Sequence, residues 1–194
     1  MNDLTLQPSV FAKLAEQRVL FLNEDIDPSS ATKLAAQFVY LESQSAKKEI
    51  TLYINCTGGV VDGGLFTIYD TMQIISCPIK TICIGEAYSS AAVILAAGTP
   101  GLRFSYENSK MMIHSVYQDE VSGSEGQIKK EIKSLKALNL TMIEILARHT
   151  KNKLSKVKRD CRTDKYMSSK EALKYGLIDE IIPPSKMIPE LLKL

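Results

Sequence analysis

Ser89 and Ser90 stand between two apolar runs of different character. Before them lies the β-branched stretch Ile79 to Ile84, and after them an alanine-rich stretch that ends at Gly98 with Pro100 beyond. The composition predicts a buried strand, a sharp turn at Gly85, the serines, and then a buried helix. A serine so placed sits at the carboxyl end of a strand and the amino end of a helix. The first-turn N–H groups have no acceptor inside the helix, and the helix dipole favours negative charge there. Those amides can hold the oxyanion formed when a serine attacks a carbonyl. Capping the helix is the other use of a serine here, and on this segment alone it is the leading one. A general base must come from His114 or His149, the two histidines of the chain. His149 falls near the end of a long amphipathic stretch, where a cation complements the dipole, and it reads as structural. His114 ends a short apolar run just before a polar loop, a place from which a side chain reaches a crevice. The carboxylate to orient it is open among Asp119, Glu120, Asp160 and Asp164, all of which follow it in the chain.

The elements that must position these groups follow from periodicity. A short helix is expected over Ser9 to Gln17 and a strand over Val19 to Leu22. Asp27-Pro28 starts a helix with Ala31, Leu34, Ala35, Phe38 and Leu41 on one face. Lys48 to Asn55 alternates at Ile50, Leu52 and Ile54, the mark of a strand, and Cys56-Thr57-Gly58-Gly59 is a glycine turn. A helix through Leu65, Ile68, Tyr69, Met72 and Ile75 leads to the strand before Ser89. Strand–helix–strand–helix–strand at these lengths implies parallel, right-handed crossovers. Chemistry in such sheets gathers at the strand carboxyl ends, so Gly58-Gly59 and Gly85 to Ser90 are expected at one crevice. Leu102 to Ser105 and Lys110 to His114 are two further short strands, and Ser115 to Gly126 is a loop. Ile128 to His149 is a long helix with Ile132, Leu135, Leu138, Leu140, Ile143 and Leu146 as its apolar positions. Then come a helix over Leu154 to Cys161, a loop or strand over Arg162 to Tyr166, and a helix over Ser168 to Tyr175. Ser168 and Glu171 form a capping-box pair, Gly176 is the stop, and Leu177 to Ile182 is a last strand.

Five stretches, YINCTGG at 53–59, IYDTMQII at 68–75, TICIGEAYSSAA at 81–92, MMIH at 111–114 and DKYMSSKEALKYGLIDEII at 164–182, occur in this order. Over Phe11 to Ile182 the chain resembles the ClpP family, the proteolytic subunits of the Clp protease. The resemblance implies an α/β, crotonase-like fold of repeated ββα units with a long handle helix, here the 115–150 region. The length supports one domain over 1–194, and residues 1–8, which carry no periodicity, are expected to be a flexible or accessory start. The resemblance also implies a serine endopeptidase whose triad is Ser89, His114 and Asp164, with oxyanion amides at Gly59 and Ser90. With the resemblance counted, nucleophile displaces cap as the reading of Ser89. The implied partners are further copies in a heptameric ring, two rings stacked, a Clp-family AAA+ ATPase unfoldase, a ClpP paralogue, and unfolded polypeptide substrates. Several positions depart from the family pattern. SPGG is replaced by Cys56-Thr57-Gly58-Gly59, and the Met-Gly after the nucleophile by Ser90-Ala91. Tyr88 stands where a small residue is usual and narrows the substrate pocket. Ser115-Val116 replaces Gln-Pro, and Arg162-Thr163-Asp164 keeps the catalytic acid but not the Asp-Arg pair that bridges rings. The start before the first helix is short for the axial loops that dock the ATPase.

Composition narrows the alternatives. The chain has 194 residues, a formal net charge of +2 and 45% apolar residues, enough for one core. The near-neutral charge makes no case for nucleic acid or a membrane surface. Lys151, Lys153, Lys156, Lys158 and Arg159 read as a solvated helix face. No run reaches bilayer length and MNDLTLQPS has no signal-peptide layout, so a cytoplasmic location is expected. Cys56, Cys77, Cys83 and Cys161 follow no zinc or CxxC spacing, Cys83 is expected in the core, and no GxxxxGK[ST] loop is present. Neither a metal nor a cofactor is implied. Three other readings keep the fold: a coenzyme A thioester enzyme of the crotonase type, a non-catalytic or regulatory ring subunit, and a phage-type capsid-maturation peptidase.

Overall fold

The alternation at Ile50, Leu52 and Ile54 places all three side chains out of water entirely, and the strand they form is a central one in the sheet. In the computed structural model, which describes residues 9–118 and 120–183, helix α1 (Val10–Glu16) leads into β1 (Val19–Leu22). Residues 1–8 and Asp119 lie outside the described residues. Helix α2 (Pro28–Gln44) begins where Asp27 accepts hydrogen bonds from the amides of Ser29 and Ser30 at 2.6 and 2.8 Å, with Pro28 in the first turn. It crosses to β2 (Ile50–Cys56). Helix α3 (Phe66–Ile74) returns to β3 (Ile79–Tyr88), and α4 (Ser90–Ala96) to β4 (Arg103–Tyr106). β1, β2, β3 and β4 pair side by side in parallel, as the crossover argument requires. One departure lies before α3. Val61–Leu65 is a π-type turn broken by Gly63 at φ 72°, so regular helix starts only at Phe66.

A second departure matters more. Gly85 was expected to turn the chain out of the strand; instead it bends the strand without ending it. β3 runs on to Tyr88, with two extra residues between its pairings to Ile54 and Cys56. Gly85 sits at φ 88°, and a Cβ there would meet the Asn55 side chain at 2.5 Å. The bulge re-aims the strand, so β3 has two successive neighbours on one edge. Thr81–Cys83 pairs with β4, whereas Glu86–Tyr88 pairs with β5 (Lys110–Ile113). The sheet therefore forks, and the branch that carries β5 carries the site.

The long helix α5 (Glu125–Thr150) is 26 residues and starts at a Ser124–Gln127 capping box. Its buried residues, Met142, Ile143, Ile145, Leu146 and Thr150, all lie in the second half, while Ile132 and Leu140 are more than 40% exposed. After α6 (Leu154–Asp160), the stretch expected to be loop or strand forms β6 (Lys165–Ser168), which pairs antiparallel with β5. α7 (Ser169–Tyr175) then ends at Gly176, and the last strand, β7 (Glu180–Ile182), is shorter than expected and lies beside β4. Cys83 is fully buried, as expected, and burial pushes its thiol up to about 12. Among the described residues no helix is long and apolar enough to cross a membrane.

Arg103 ties these parts together. It is 7% exposed, and its guanidinium donates to the carbonyls of Ala96, His149 and Gly176 at 3.2, 3.0 and 3.0 Å. These are the ends of α4, α5 and α7, whose dipoles direct partial negative charge toward the cation. Asp179 neutralises it through two bonds at 2.8 and 2.5 Å. Burial works against the Asp179 carboxylate, but the hydrogen bonds and charge of Arg103 outweigh it and hold its carboxyl below the usual range. Removing one partner leaves a buried cation unpaired, which costs about 3 kcal/mol or more. Asp179→Ala is expected to lower stability by about that amount at neutral pH, read from the urea midpoint. The depressed pKa makes this stabilisation complete above about pH 4 and lost as pH falls through the folded value. The gap between wild type and variant should therefore close in acid.

Candidate active site

Ser89 follows the last residue of β3 and has φ 54° and ψ −123°, a conformation that L residues adopt only when held there. What holds it is β5 on one side and α4 on the other. The Ser89 amide donates to the Met112 carbonyl at 2.8 Å, continuing the β3–β5 ladder by one bond. The next residue, Ser90, opens α4, every residue of which is buried. A strand and a helix thus meet at one strained residue whose side chain stands clear of both. Its Oγ lies 2.7 Å from Nε2 of His114.

His114 is placed by β5, which ends one residue earlier at Ile113. In the antiparallel β5–β6 ladder Met112 faces Tyr166 and Ile113 faces Lys165. Carrying the register one step further puts His114 opposite Asp164. Nδ1 lies 3.6 Å from the Asp164 carboxylate, with the imidazole 13% and the carboxylate 57% exposed. At that distance the imidazole and the carboxylate are neighbours but share no short hydrogen bond. The contact is closed between serine and imidazole, and loose between imidazole and carboxylate.

The other carboxylates raised by the sequence are elsewhere or outside the described residues. Asp160 is engaged by Lys156 at 3.2 Å and by Arg159 at 3.3 Å. Glu120 is exposed, and Asp119 is outside the described residues. His149 is structural, although not as a cation. Burial first, and then the charges of Arg103 and Arg148, push its pKa down to about 4. It is a neutral ring that hydrogen-bonds the Tyr69 hydroxyl at 3.0 Å.

The glycine turn closes over the same serine. A Cβ on Gly58 would lie 2.7 Å from both the Ser89 Cβ and the Tyr88 carbonyl, and one on Gly59 would lie 2.2 Å from the Ile26 carbonyl. Only glycine lets the backbone approach this closely. Ile26 donates to the Gly58 carbonyl and accepts from the Val60 amide, at 2.8 and 2.7 Å. The Gly59 carbonyl is turned toward α4, where it accepts from Ser90 Oγ at 2.9 Å. The two serines are thereby distinguished. Ser90 is wholly buried, with its hydroxyl committed to the turn, and Ser89 is partly open and faces the histidine.

Three features escaped the sequence reading. Cys56 in the altered turn accepts from the Gly58 amide at 3.3 Å and donates to the Glu24 carbonyl at 3.1 Å, so its thiol helps to shape the turn. Tyr117 stacks obliquely beside the His114 ring, centroids 5.4 Å apart. Tyr166 meets Tyr88 edge to face at 5.6 Å. The period of two in Met112 and His114 would have revealed the last of these, had the β5–β6 register been known.

A protein-family model described as Clp protease matches residues 5–185. The chain is 46% identical over 178 residues to "ATP-dependent Clp protease proteolytic subunit 3" of Frankia casuarinae, covering 91% of this chain and 82% of that protein. It is 40% identical over 177 residues to subunit 2 of Streptomyces coelicolor, covering 91% of this chain and 81% of the relative. Against subunit 4 of Streptomyces avermitilis it is 39% identical over 177 residues, covering 91% and 78%. An α/β protease is thus defined, with the crotonase-like fold expected of it. The chain belongs to the Clp protease family.

Because a Cβ on Gly58 would run into the Ser89 side chain, Gly58→Ala is expected to strain the turn and move Ser89 off the imidazole. Misplacement on the order of 1 Å costs about 100-fold in rate. Peptide hydrolysis should fall by at least that factor, with a loss of about 1–3 kcal/mol in stability from the strained φ. Parallel peptidase assays and thermal melts check both.

Proposed function

We propose that the chain is a serine endopeptidase in which Ser89 is the nucleophile, His114 the general base and Asp164 the orienting acid. Ser89 Oγ attacks the substrate carbonyl while His114 Nε2 takes its proton. The negative charge that develops on the carbonyl oxygen is held by the amides of Gly59 and Ser90. His114 then protonates the leaving amine, and the acyl group on Ser89 is released by a water that His114 deprotonates. The observation that carries the reading is the 2.7 Å contact of Ser89 Oγ with His114 Nε2 at a residue held with positive φ. Asp164, opposite His114 in the β5–β6 register and 3.6 Å from Nδ1, is the carboxylate placed to orient the ring.

Assembly is part of the same proposal. The first half of α5 carries Ile128, Ile132 and Leu135 along one stripe, and that half contributes no buried residue. Such a stripe is what a second copy would cover in a stacked, heptameric ring. The relatives are named as proteolytic subunits of an ATP-dependent Clp protease, which supports a Clp-family ATPase partner; unfolded polypeptides as substrates and a cytoplasmic location belong to the same reading.

Labelling with a fluorophosphonate probe, read by peptide mass spectrometry on wild type and Ser89→Ala, tests the assignment. Label on Ser89 that is lost in the variant, with peptidase activity lower by about 10⁴-fold or more, is the expected result. Label on Ser90 would move the nucleophile by one residue. Absence of label on the assembled protein would replace this reading with that of a ring subunit that regulates a catalytic paralogue.

A further inference from the structure

Alternate residues of a strand share a face, about 7 Å apart. On β5 that puts Met112 on the face that bears His114, one row back from it. Tyr88 of β3 and Tyr166 of β6 are the cross-strand partners of Met112 on either side. The three side chains form a row next to the His114–Asp164 row. Tyr88 and Tyr166 are two strands apart, yet their rings are 5.6 Å apart at an interplanar angle of 86°. They lean toward each other across β5, and Met112 is left 8% exposed. Tyr166 itself is 59% exposed, so the pair stands up from the sheet. An edge-to-face contact of this kind resists separation more than either ring alone.

Strand register sets this pair next to the row that carries His114. In the mechanism proposed above, the carbonyl carbon is held between Ser89 Oγ and the Gly59 and Ser90 amides. Tyr88 is covalently next to Ser89, and the row it starts lies directly behind the imidazole. We infer that Tyr88 and Tyr166 form a size-limiting wall beside the acyl position, so that cleavage follows small residues such as Ala, Gly and Ser and excludes Leu, Met and Phe. The inference rests on Ser89 as the nucleophile proposed above. Tyr88 and Tyr166 act as specificity determinants and take no part in proton transfer.

Peptidyl diphenyl phosphonates with either an Ala or a Leu side chain on the carbon bearing phosphorus provide the test. Ser89 Oγ forms the bond to phosphorus as phenol leaves, so labelling reports access to the wall without need of an ATPase. Inactivation rate constants are measured on the assembled protein by intact mass, alongside the fluorophosphonate. In wild type the Ala reagent is expected to outpace the Leu reagent by about 10-fold or more, the range that pocket size gives for a few methylenes. Tyr88→Ala should bring the ratio to about one, Tyr166→Ala should lower it by about threefold or more, and Tyr88→Phe should retain it. The exposed position of Tyr166 makes its replacement safe for folding even where Tyr88→Ala is not. Fluorophosphonate labelling of Ser89 with an Ala-to-Leu ratio near one in wild type, or a ratio that both alanine variants leave unmoved, overturns the wall alone. Failure of every reagent to label Ser89 overturns the nucleophile assignment and the wall with it.

Discussion

Strand β5 hydrogen-bonds along both edges, in parallel to the far end of β3 and antiparallel to β6. Its four residues are the template for the whole site. On one edge the Met112 carbonyl takes the Ser89 amide, and on the other the ladder register sets Asp164 opposite His114. A slip by one residue on either edge would turn the relevant side chain to the opposite face. What prevents the slip is burial. Met111 and Ile113 are sealed against the core on the face opposite His114, together with Ala87 and Met167 on the flanking strands.

β5 can reach β3 because of the bulge at Gly85, which releases β3 from β4 and turns its end toward a new neighbour. The same end must present Ser89 with positive φ, a strain that a freely moving loop would relax. Here α4 prevents relaxation, since it is buried along its whole length and cannot shift without opening the core. Arg103 secures the far end of α4 together with the ends of α5 and α7, and Asp179 makes a buried cation tolerable there. The scaffold therefore holds the serine from both ends of one short helix. Asp164 has no such support: it precedes β6, is mostly exposed, and makes the loosest contact of the three.

The departures of this chain from the family pattern fall where the structure can absorb them. Cys56 in place of serine still accepts a hydrogen bond within the turn, from the Gly58 amide, and donates another to the Glu24 carbonyl beyond it. Ser90 in place of methionine turns its hydroxyl inward to the Gly59 carbonyl, so the second hydroxyl does not compete for the imidazole. Tyr88 in place of a small residue finds a partner in Tyr166.

Much of this was legible in the sequence, because the signals were local. The alternation at Ile50, Leu52 and Ile54, the Asp27-Pro28 start of α2, the Ser168–Glu171 capping box and the stop at Gly176 each depend on residues a few positions apart. They determined the elements and the parallel crossovers, and the family resemblance supplied Ser89, His114 and Asp164 as candidates. The remaining features depended on pairings across the chain. Whether Gly85 ended the strand or bent it depended on Asn55, thirty residues earlier. The protonation of His149 depended on burial and on Arg103 and Arg148, not on its place at a helix end. Which serine faced the histidine was decided by the Gly59 carbonyl, and the joining of Tyr88 to Tyr166 by strand register. Sequence specifies what each segment can be; only the packed sheet decides which side chains meet, because register and burial are properties of segments in contact.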